Sequence, residues 1–286
     1  MSVSTLLSRA AEKRVLFVGE TIIDVYHYVR PLGRPLKESI VSVEHVSTET
    51  FQGGVVAAAA HARDFCKSVE VYSGGSKIIK ERWVEAAHVR KLFEVYNDPG
   101  ADPREVYSPP DLKSFDAVVV TDYGHGMMRE PLRTLVQSTN YLAVNVQTNS
   151  GNFGFNLATK YSGSPDYLVV DEPEARLATQ MRYEPIEEVL EELREMVFAQ
   201  KVVITLGKKG AIGMDHSGMH GQPALTDKVV DTLGAGDAFF AITALIAEDA
   251  TMPEILRIGN AAGAIKTGII GHQREVRKDE LIKLLG

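Results

Sequence analysis

The chain has 286 residues, of which 44% are hydrophobic and 24% are charged, values that exclude a disordered protein and fit one large α/β domain, alone or with a small appendage. Its net charge of −7 disfavours a general surface for nucleic acid or anionic membrane. The single cysteine, Cys66, excludes an internal disulfide and a thiolate metal cluster.

The first twenty residues have no apolar core followed by a small-residue cleavage site. Nowhere in the chain do about 18 apolar residues run together. We therefore expect a cytoplasmic protein that is neither exported nor membrane-spanning.

Short apolar runs rich in Val, Ile and Leu alternate with segments that can form helices. Such runs are typical of strands covered on both faces in a parallel sheet. The predicted strands are VLFVG (15–19), AVVVTDYG (117–124), YLAVNV (141–146), YLVVDE (167–172) and VVITLG (202–207). The predicted helices cover residues 53–66, 130–139, 172–180, 185–200, 236–249 and 252–268. This alternation predicts an α/β fold.

Two segments, 37–51 and 77–96, are β-branched and aromatic with interleaved charges, which is typical of antiparallel strands exposed on one side. We predict that they form a small β lid, over about 25–51 and 77–97, at one edge of the main sheet. A lid can exclude water from a site or pair with a second lid in a dimer. A plain β extension of the sheet is the alternative.

Small and acidic residues stand near the ends of the first predicted strands. Asp24 lies just past the carboxyl end of the first strand, where open α/β sheets bind ligands, and a carboxylate can accept from two neighbouring hydroxyls. Gly53 and Gly54 open an alanine-rich helix and let backbone N–H groups approach a substrate. The alternatives are a solvated acid and a simple turn.

Two further strands end in groups that suit phosphates and metals. Asp171 and Glu174 follow YLVV with three-residue spacing, so they can face one site and hold Mg²⁺ through its waters, or else stabilise the start of a helix. Gly207 and Gly210 form a tight turn in which Lys208 or Lys209 can neutralise a nucleotide phosphate or remain solvated.

The segment DTLGAGD (231–237) precedes a long apolar helix. Backbone N–H groups at a helix N-terminus lack intrahelical partners, and Gly234, Ala235 and Gly236 carry no bulky side chains, so an anion can approach closely. A phosphoryl group in transfer is such an anion, and Asp237 beside it can accept the proton of an attacking hydroxyl. The alternative is that Asp237 merely caps the helix.

This segment resembles the D-T-x-G-A-G-D signature of the PfkB, or ribokinase-like, carbohydrate kinases. Four other segments resemble family motifs in the same order: VGETIIDVY (18–26), GGVVAAAA (53–60), VVDEPEARLA (169–178) and TLGKKGA (205–211). The resemblance implies a three-layer αβα core with a mostly parallel sheet and a small β lid, in one kinase domain over residues 1–286. It also implies ATP and Mg²⁺ as cofactors.

The resemblance implies a role for each matching position. Asp237 is the implied catalytic base, with Gly234, Ala235 and Gly236 as the anion hole. The implied sugar-binding residues are Asp24, Gly53 and Gly54. Nucleotide binding is implied for Thr205, Gly207, Lys208, Gly210, Thr232 and Asn260. Asp171 and Glu174 are implied to hold Mg²⁺ through water.

The chain departs from the family pattern at two positions. Ala57 stands where the sugar-contacting element has an asparagine, which removes an amide that usually reads the sugar. Asp171 replaces the usual asparagine of the magnesium motif and adds a negative charge. These departures leave open a catalytically impaired homologue that binds sugar or nucleotide. A dinucleotide-dependent oxidoreductase is disfavoured, because VGETIID lacks a G-x-G-x-x-G pattern.

Within the family, residues 15–28, 35–54 and 118–128 are most similar to the kinase half of bacterial D-glycero-D-manno-heptose 7-phosphate kinase/adenylyltransferases, although His125 replaces a lysine. This similarity implies a sugar-phosphate substrate and a heptose 7-phosphate 1-kinase-like activity, with nucleotidyl transfer left to a separate polypeptide. It also leaves open a ribokinase, fructokinase or nucleoside kinase. We expect a homodimer formed through the β lid.

Overall fold

The computed structural model describes residues 1–74, 78–100, 108–130, 132–163 and 165–286. The strands of a larger sheet are β1 (Arg14–Gly19), β4 (Ser68–Tyr72), β7 (Ala117–Asp122), β8 (Leu142–Val146), β9 (Tyr167–Asp171), β10 (Lys201–Thr205), β11 (Ala211–Asp215) and β12 (Gly218–Gln222). The strands of a smaller sheet are β2 (Thr21–Pro31), β3 (Val43–Gly54), β5 (Ile78–Glu85) and β6 (Arg90–Asn97). The helices are α1 (Val3–Ala10), α2 (Val55–Ala62), α3 (Leu132–Val136), α4 (Glu172–Thr179), α5 (Ile186–Val197), α6 (Ala235–Ile246), α7 (Met252–Lys266) and α8 (Lys278–Leu285).

The larger sheet has the strand order β12-β11-β10-β9-β8-β7-β1-β4. The six neighbouring strands β4, β1, β7, β8, β9 and β10 are parallel. At the other edge, β11 pairs antiparallel with β10, and β12 pairs antiparallel with β11. The predicted, mostly parallel α/β sheet is confirmed. Because the central strands run the same way, their carboxyl ends share one edge, where Asp171 ends β9 and Thr205 ends β10.

Helices cover both faces of the larger sheet. Alternate residues of β1 enter two separate cores, with Val15 and Phe17 on one face and Leu16 and Val18 on the other. The first core includes residues of α1, α2, α6, α7 and α8, and the second includes residues of α3, α4 and α5. The three-layer αβα arrangement is therefore confirmed.

The smaller sheet, which we call the lid sheet (β3-β2-β5-β6), has one buried face. Every second side chain is buried along β5 and along β2 up to Tyr26, and the buried set includes Asp24, Tyr26, Lys80 and Arg82. The sheet begins at Thr21, four residues before the predicted lid segment 25–51, and β3 continues to Gly54. Residue 77 of the second predicted segment lies outside the described residues.

Several elements differ from the sequence expectation. The helix predicted to start at residue 53 begins at Val55, because Gly53 and Gly54 still pair with β2 at the end of β3. Residues 216 and 217 form the turn between β11 and β12, an antiparallel pair for which the sequence predicts no strands. None of the helices in the described ranges is long and apolar enough to cross a bilayer.

Candidate active site

The N-terminus of α6 is built around a left-handed glycine. Gly234 has φ 74°, and a Cβ there would lie 3.1 Å from His272 Cε1 and 3.2 Å from Lys266 Cε. The first helical bond runs from the N–H of Ala238 to the Gly234 carbonyl at 2.9 Å, so the N–H groups of Gly236 and Asp237 precede the helical ladder. The N–H of Ala235 donates to Thr232 O at 3.3 Å. This terminus suits an anion.

Asp237, in the first turn of α6, has a buried side chain that is held from two directions. Its Oδ1 accepts a hydrogen bond from the Tyr123 hydroxyl at 3.1 Å and another from Gln147 Nε2 at 2.7 Å. Both donors follow carboxyl ends of parallel strands, β7 and β8. Because α6 has no side-chain cap hydrogen bond, the geometry disfavours a pure capping role for Asp237.

Asp24 lies on the buried face of the lid sheet, in an ion pair with Arg82. Its Oδ2 lies 3.4 Å from His272 Nε2. Burial alone would raise the pKa of Asp24, but the hydrogen bond to His272 and the Arg82 charge lower it below its usual value. A Cβ on Gly53 would stand 2.0 Å from Asp24 Oδ2, so the glycine leaves room for this carboxylate. Asp24 and Gly53 are therefore in direct contact.

A second buried cation accompanies Arg82 on the lid sheet. Lys80 lies two residues earlier on β5, with Nζ 5.0 Å from the centre of the Tyr96 ring. Burial lowers the pKa of Lys80, although the nearby Asp24 carboxylate opposes that effect. The Arg82 Nε also pairs with Glu94 at 3.3 Å. The buried face of the lid thus presents two cations towards the core.

Asp231, the first residue of the DTLGAGD loop, joins the lid sheet to the core. It accepts hydrogen bonds from the Tyr26 hydroxyl at 3.0 Å and from Lys91 Nζ at 2.8 Å, both on lid strands. It also accepts from the N–H groups of Leu233 at 3.0 Å and Gly271 at 2.9 Å. Burial opposes ionisation, but these donors and the Lys91 charge lower the pKa of Asp231 to about 2.

A cavity of about 540 Å³ opens beside the α6 N-terminus. Its walls include the six predicted nucleotide-binding residues, Thr205, Gly207, Lys208, Gly210, Thr232 and Asn260. Ala235, Gly236 and Asp171 also line it, and Leu225, Val229 and Phe239 give it apolar walls. The Asn260 amide is already engaged, because its Nδ2 donates to Gln222 O at 2.9 Å and to Pro223 O at 3.0 Å.

Asp171 and Glu174 form a reciprocal capping box at the start of α4. Asp171 Oδ1 accepts from the Glu174 N–H at 2.8 Å, and Glu174 Oε2 accepts from the Asp171 N–H at 2.7 Å. Glu174 Oε1 accepts from the Thr148 N–H at 2.8 Å. Burial and the neighbouring Asp171 raise the pKa of Glu174 to about 8. The helix-stabilising role that the sequence left open is therefore present.

These two carboxyls do not form a closed metal cage. Over the described ranges, no group of three or more His, Cys, Asp or Glu side chains is placed to hold a metal ion. Mg²⁺ usually keeps several waters and takes one or two carboxylates together with substrate phosphates. Asp171 at the cavity wall, with Glu174 behind it, fits a Mg²⁺ ion held in that open manner.

Sequence reasoning missed four residues that complete the site: Tyr123, Gln147, Lys266 and His272. Tyr123 meets Asp237 across 114 positions of sequence, and Gln147 meets it across 90, so no local pattern indicates either contact. Lys266 ends the helix that carries Asn260, outside every segment that resembles a family motif. His272 carries no motif, yet it lies between Asp24 and Gly234.

Comparisons with known proteins show the family of this chain. The profile of the pfkB family carbohydrate kinases matches residues 111–278. The chain is 39% identical over 70 residues to "ATP-dependent 6-phosphofructokinase isozyme 2" of Escherichia coli, covering 24% of this chain and 23% of that protein. It is 30% identical over 169 residues to "Bifunctional protein HldE" of Sulfurimonas denitrificans, covering 56% of this chain and 34% of that protein. The chain thus matches about a third or less of the length of these relatives.

Solved structures show the same fold over almost the whole chain. Arabidopsis thaliana ribokinase complexed with ribose and ATP has a TM-score of 0.71 at 18% identity, covering 96% of this chain and 99% of that one. Escherichia coli phosphofructokinase-2 in complex with substrates and products has a TM-score of 0.70 at 17% identity, covering 96% and 98%. The ribokinase-like fold is thus confirmed, and the family profile spans more than half of the chain. The chain belongs to the pfkB family of carbohydrate kinases.

Proposed function

We propose that the protein transfers the γ-phosphoryl group of ATP to a hydroxyl of a sugar or sugar phosphate. The observation that carries this proposal is the position of Asp237. Its carboxyl is fixed by Tyr123 and Gln147 at the helix terminus that borders the cavity. His272 joins this loop to the lid sheet: its Cε1 lies 3.1 Å from where a Cβ on Gly234 would stand, and its Nε2 lies 3.4 Å from Asp24 Oδ2. These contacts support Asp237 as a base between the cavity proposed for ATP and the lid residues proposed for the sugar.

The proposed reaction assigns one role to each of these groups. The sugar hydroxyl, held by Asp24 beside Gly53 and Gly54, gives its proton to Asp237 as its oxygen attacks the γ-phosphorus. The bond from that phosphorus to the β–γ bridging oxygen breaks, and ADP leaves. Backbone N–H groups of Gly234 and Gly236 stabilise the negative charge of the transferred group, while the N–H of Ala235 donates to Thr232 O within the loop.

The cavity is proposed to hold ATP. Thr205, Gly207, Lys208, Gly210, Thr232 and Asn260 line it, which supports the proposal. Mg²⁺ would be held near Asp171 and Glu174 through water. When bound, it would neutralise phosphate charge, as metal ions do in phosphoryl transfer.

The proposed substrate is a sugar phosphate, with a heptose 7-phosphate 1-kinase-like activity as the specific proposal. The similarity to HldE and the buried cations Lys80 and Arg82 support it. The test is a coupled ADP-release screen over hexoses, pentoses, nucleosides, fructose 6-phosphate and heptose 7-phosphate. Turnover only with unphosphorylated sugars would contradict a sugar-phosphate substrate and favour a ribokinase or fructokinase type. Binding of sugar and ATP without ADP release would favour the impaired homologue that Ala57 and Asp171 suggest.

We also propose that the whole chain forms a single kinase domain, whose lid sheet closes over the sugar-binding residues. Two chains are proposed to pair through the outer faces of their lid sheets. His27 and Phe93 stack on opposite sides of Trp83 there, at 4.4 Å and 4.8 Å between ring centres. If the substrate is a heptose phosphate, nucleotidyl transfer would come from a separate polypeptide.

A further inference from the structure

Lys266 ends α7 with its ammonium group enclosed by protein. The residue has no solvent exposure. Its Nζ donates to the carbonyl oxygens of Leu233 at 2.7 Å, Gly271 at 2.7 Å and Ile269 at 3.3 Å. An ammonium has three N–H donors, so these three oxygens satisfy it completely. Enclosing a charge is unfavourable unless it is bonded in this way, so the arrangement calls for a role.

The Leu233 carbonyl belongs to the peptide group that begins the proposed anion hole. In a trans peptide, the carbonyl of one residue and the N–H of the next point in opposite directions. Because Lys266 holds the carbonyl of Leu233, it directs the N–H of Gly234 away from itself. The Lys266 side chain also packs against Gly234, since a Cβ added to that glycine would lie 3.2 Å from Lys266 Cε. Lys266 therefore supports this peptide from behind.

The ammonium also counterbalances nearby negative charge. Burial lowers the pKa of Lys266 to about 8, while Asp231 and Asp237 oppose that effect. The other charged or titratable groups that interact with it are Lys91, Arg274 and His61. A bound phosphoryl group would add negative charge on the far side of the Gly234 peptide, and this would favour the ammonium form.

We propose that Lys266 is a positioning residue for phosphoryl transfer: its ammonium orients the Leu233–Gly234 peptide and places a fixed positive charge behind the anion hole. This inference rests on the proposed kinase function. In this proposal the positive charge behind the anion hole is the Lys266 ammonium, which three carbonyl oxygens surround. Lys266 contacts no substrate in this arrangement and acts through the loop.

The test is Lys266→Met, which keeps most of the side-chain volume and leaves the place of the ammonium open. We expect kcat to fall roughly 100-fold with little change in the KM for sugar, because the stabilised charge develops in the transition state. Ammonium chloride should restore part of the lost kcat by occupying the three-carbonyl site, whereas choline chloride at the same ionic strength should not. Lys283→Met, at an exposed position of α8, is the matched control and should behave as the wild type.

A Lys266→Met enzyme that keeps kcat within about threefold of the wild type, or whose lost kcat ammonium fails to restore, overturns the inference. If this variant does not fold, Lys266→Gln, which keeps two N–H donors without the charge, is measured by the same criteria. If the wild type itself releases no ADP with any sugar, the proposed function fails separately. Lys266 is then judged by its effect on the loop itself, through hydrogen exchange at the backbone amides of residues 233–236, and exchange unchanged by Lys266→Met overturns the inference.

Discussion

Both hydrogen bonds to the Asp237 carboxyl converge on one oxygen, Oδ1. An asparagine can therefore keep the bonds from Tyr123 and Gln147 through its own Oδ1, while it loses the ability to accept a proton. We predict that Asp237→Asn folds like the wild type and lowers kcat by about 1,000-fold or more, with little effect on the KM for ATP. Steady-state ADP release and thermal melting check this. Near-normal turnover would refute the assignment of Asp237 as the base.

A substitution at Gly53 tests the proposed sugar-binding role of its neighbour Asp24. A methyl group there would stand 2.0 Å from Asp24 Oδ2, so the carboxylate must move. We predict that Gly53→Ala raises the KM for sugar by about tenfold or more while the KM for ATP changes little, because only the substrate hydroxyls lose a partner. Gly33→Ala is the control, since nothing lies within 4 Å of its added methyl. An unchanged KM for sugar would argue against a role for Asp24 in sugar binding.

At the scale of elements, Glu20 fastens the loop that carries Tyr123. Glu20 follows β1 and accepts hydrogen bonds from the N–H groups of Tyr123 at 3.2 Å, His125 at 3.2 Å and Met127 at 3.1 Å. Burial, together with the charge of Asp122, raises the pKa of Glu20 from 4.5 to about 7. One carboxyl thus sets the conformation of the loop that orients the proposed base.

The raised pKa of Glu20 makes the free energy of unfolding depend on pH in a predictable direction. Between pH 4.5 and about 7 the folded protein binds more protons at Glu20 than the unfolded chain, so this group's contribution to the free energy of unfolding falls as pH rises. We predict that Glu20→Gln removes this part of the pH dependence, in urea unfolding measured at about pH 5 and about pH 8. Glu187→Gln, at an exposed helix position, is the control. Identical pH dependence in the wild type and Glu20→Gln would contradict the prediction.

The sequence indicates the buried strands well and the sheet edges poorly. β7 and β10 are continuous apolar runs, because both of their faces are covered by helices. β4 and β12 read as mixed segments, since most of their side chains are only partly buried. The six predicted nucleotide-binding residues all line one cavity. Four of them, Thr205, Gly207, Lys208 and Gly210, lie at or just after the carboxyl end of β10, where open α/β sheets bind ligands. Thr232 precedes α6 and Asn260 lies within α7. The contacts of Asp237 and Lys266 join distant segments, and a single sequence cannot show them.

At the scale of the whole molecule, the outer face of the lid sheet offers an apolar surface. Phe93 is 46% exposed and Val95 40% exposed on β6, beside the stacked Trp83. We predict that the wild type sediments as a dimer and that Phe93→Glu shifts it to a monomer, because a charge cannot be buried unpaired in such an interface. Tyr183→Glu changes an aromatic residue that is 83% exposed between α4 and α5, and it should leave the dimer intact. A monomeric wild type would contradict lid pairing.

The carboxylate of Asp231 is shared between the lid sheet and the anion-hole loop, and we expect it to couple sugar binding to ATP binding. Two of its four donors, Tyr26 and Lys91, belong to the lid sheet, and two belong to loops next to the anion hole. If the lid lifts, a buried anion loses half of its partners, so lid position and loop order are energetically coupled. A sugar that holds the lid shut would then strengthen ATP binding. Thermodynamic reciprocity requires ATP to strengthen sugar binding by the same factor.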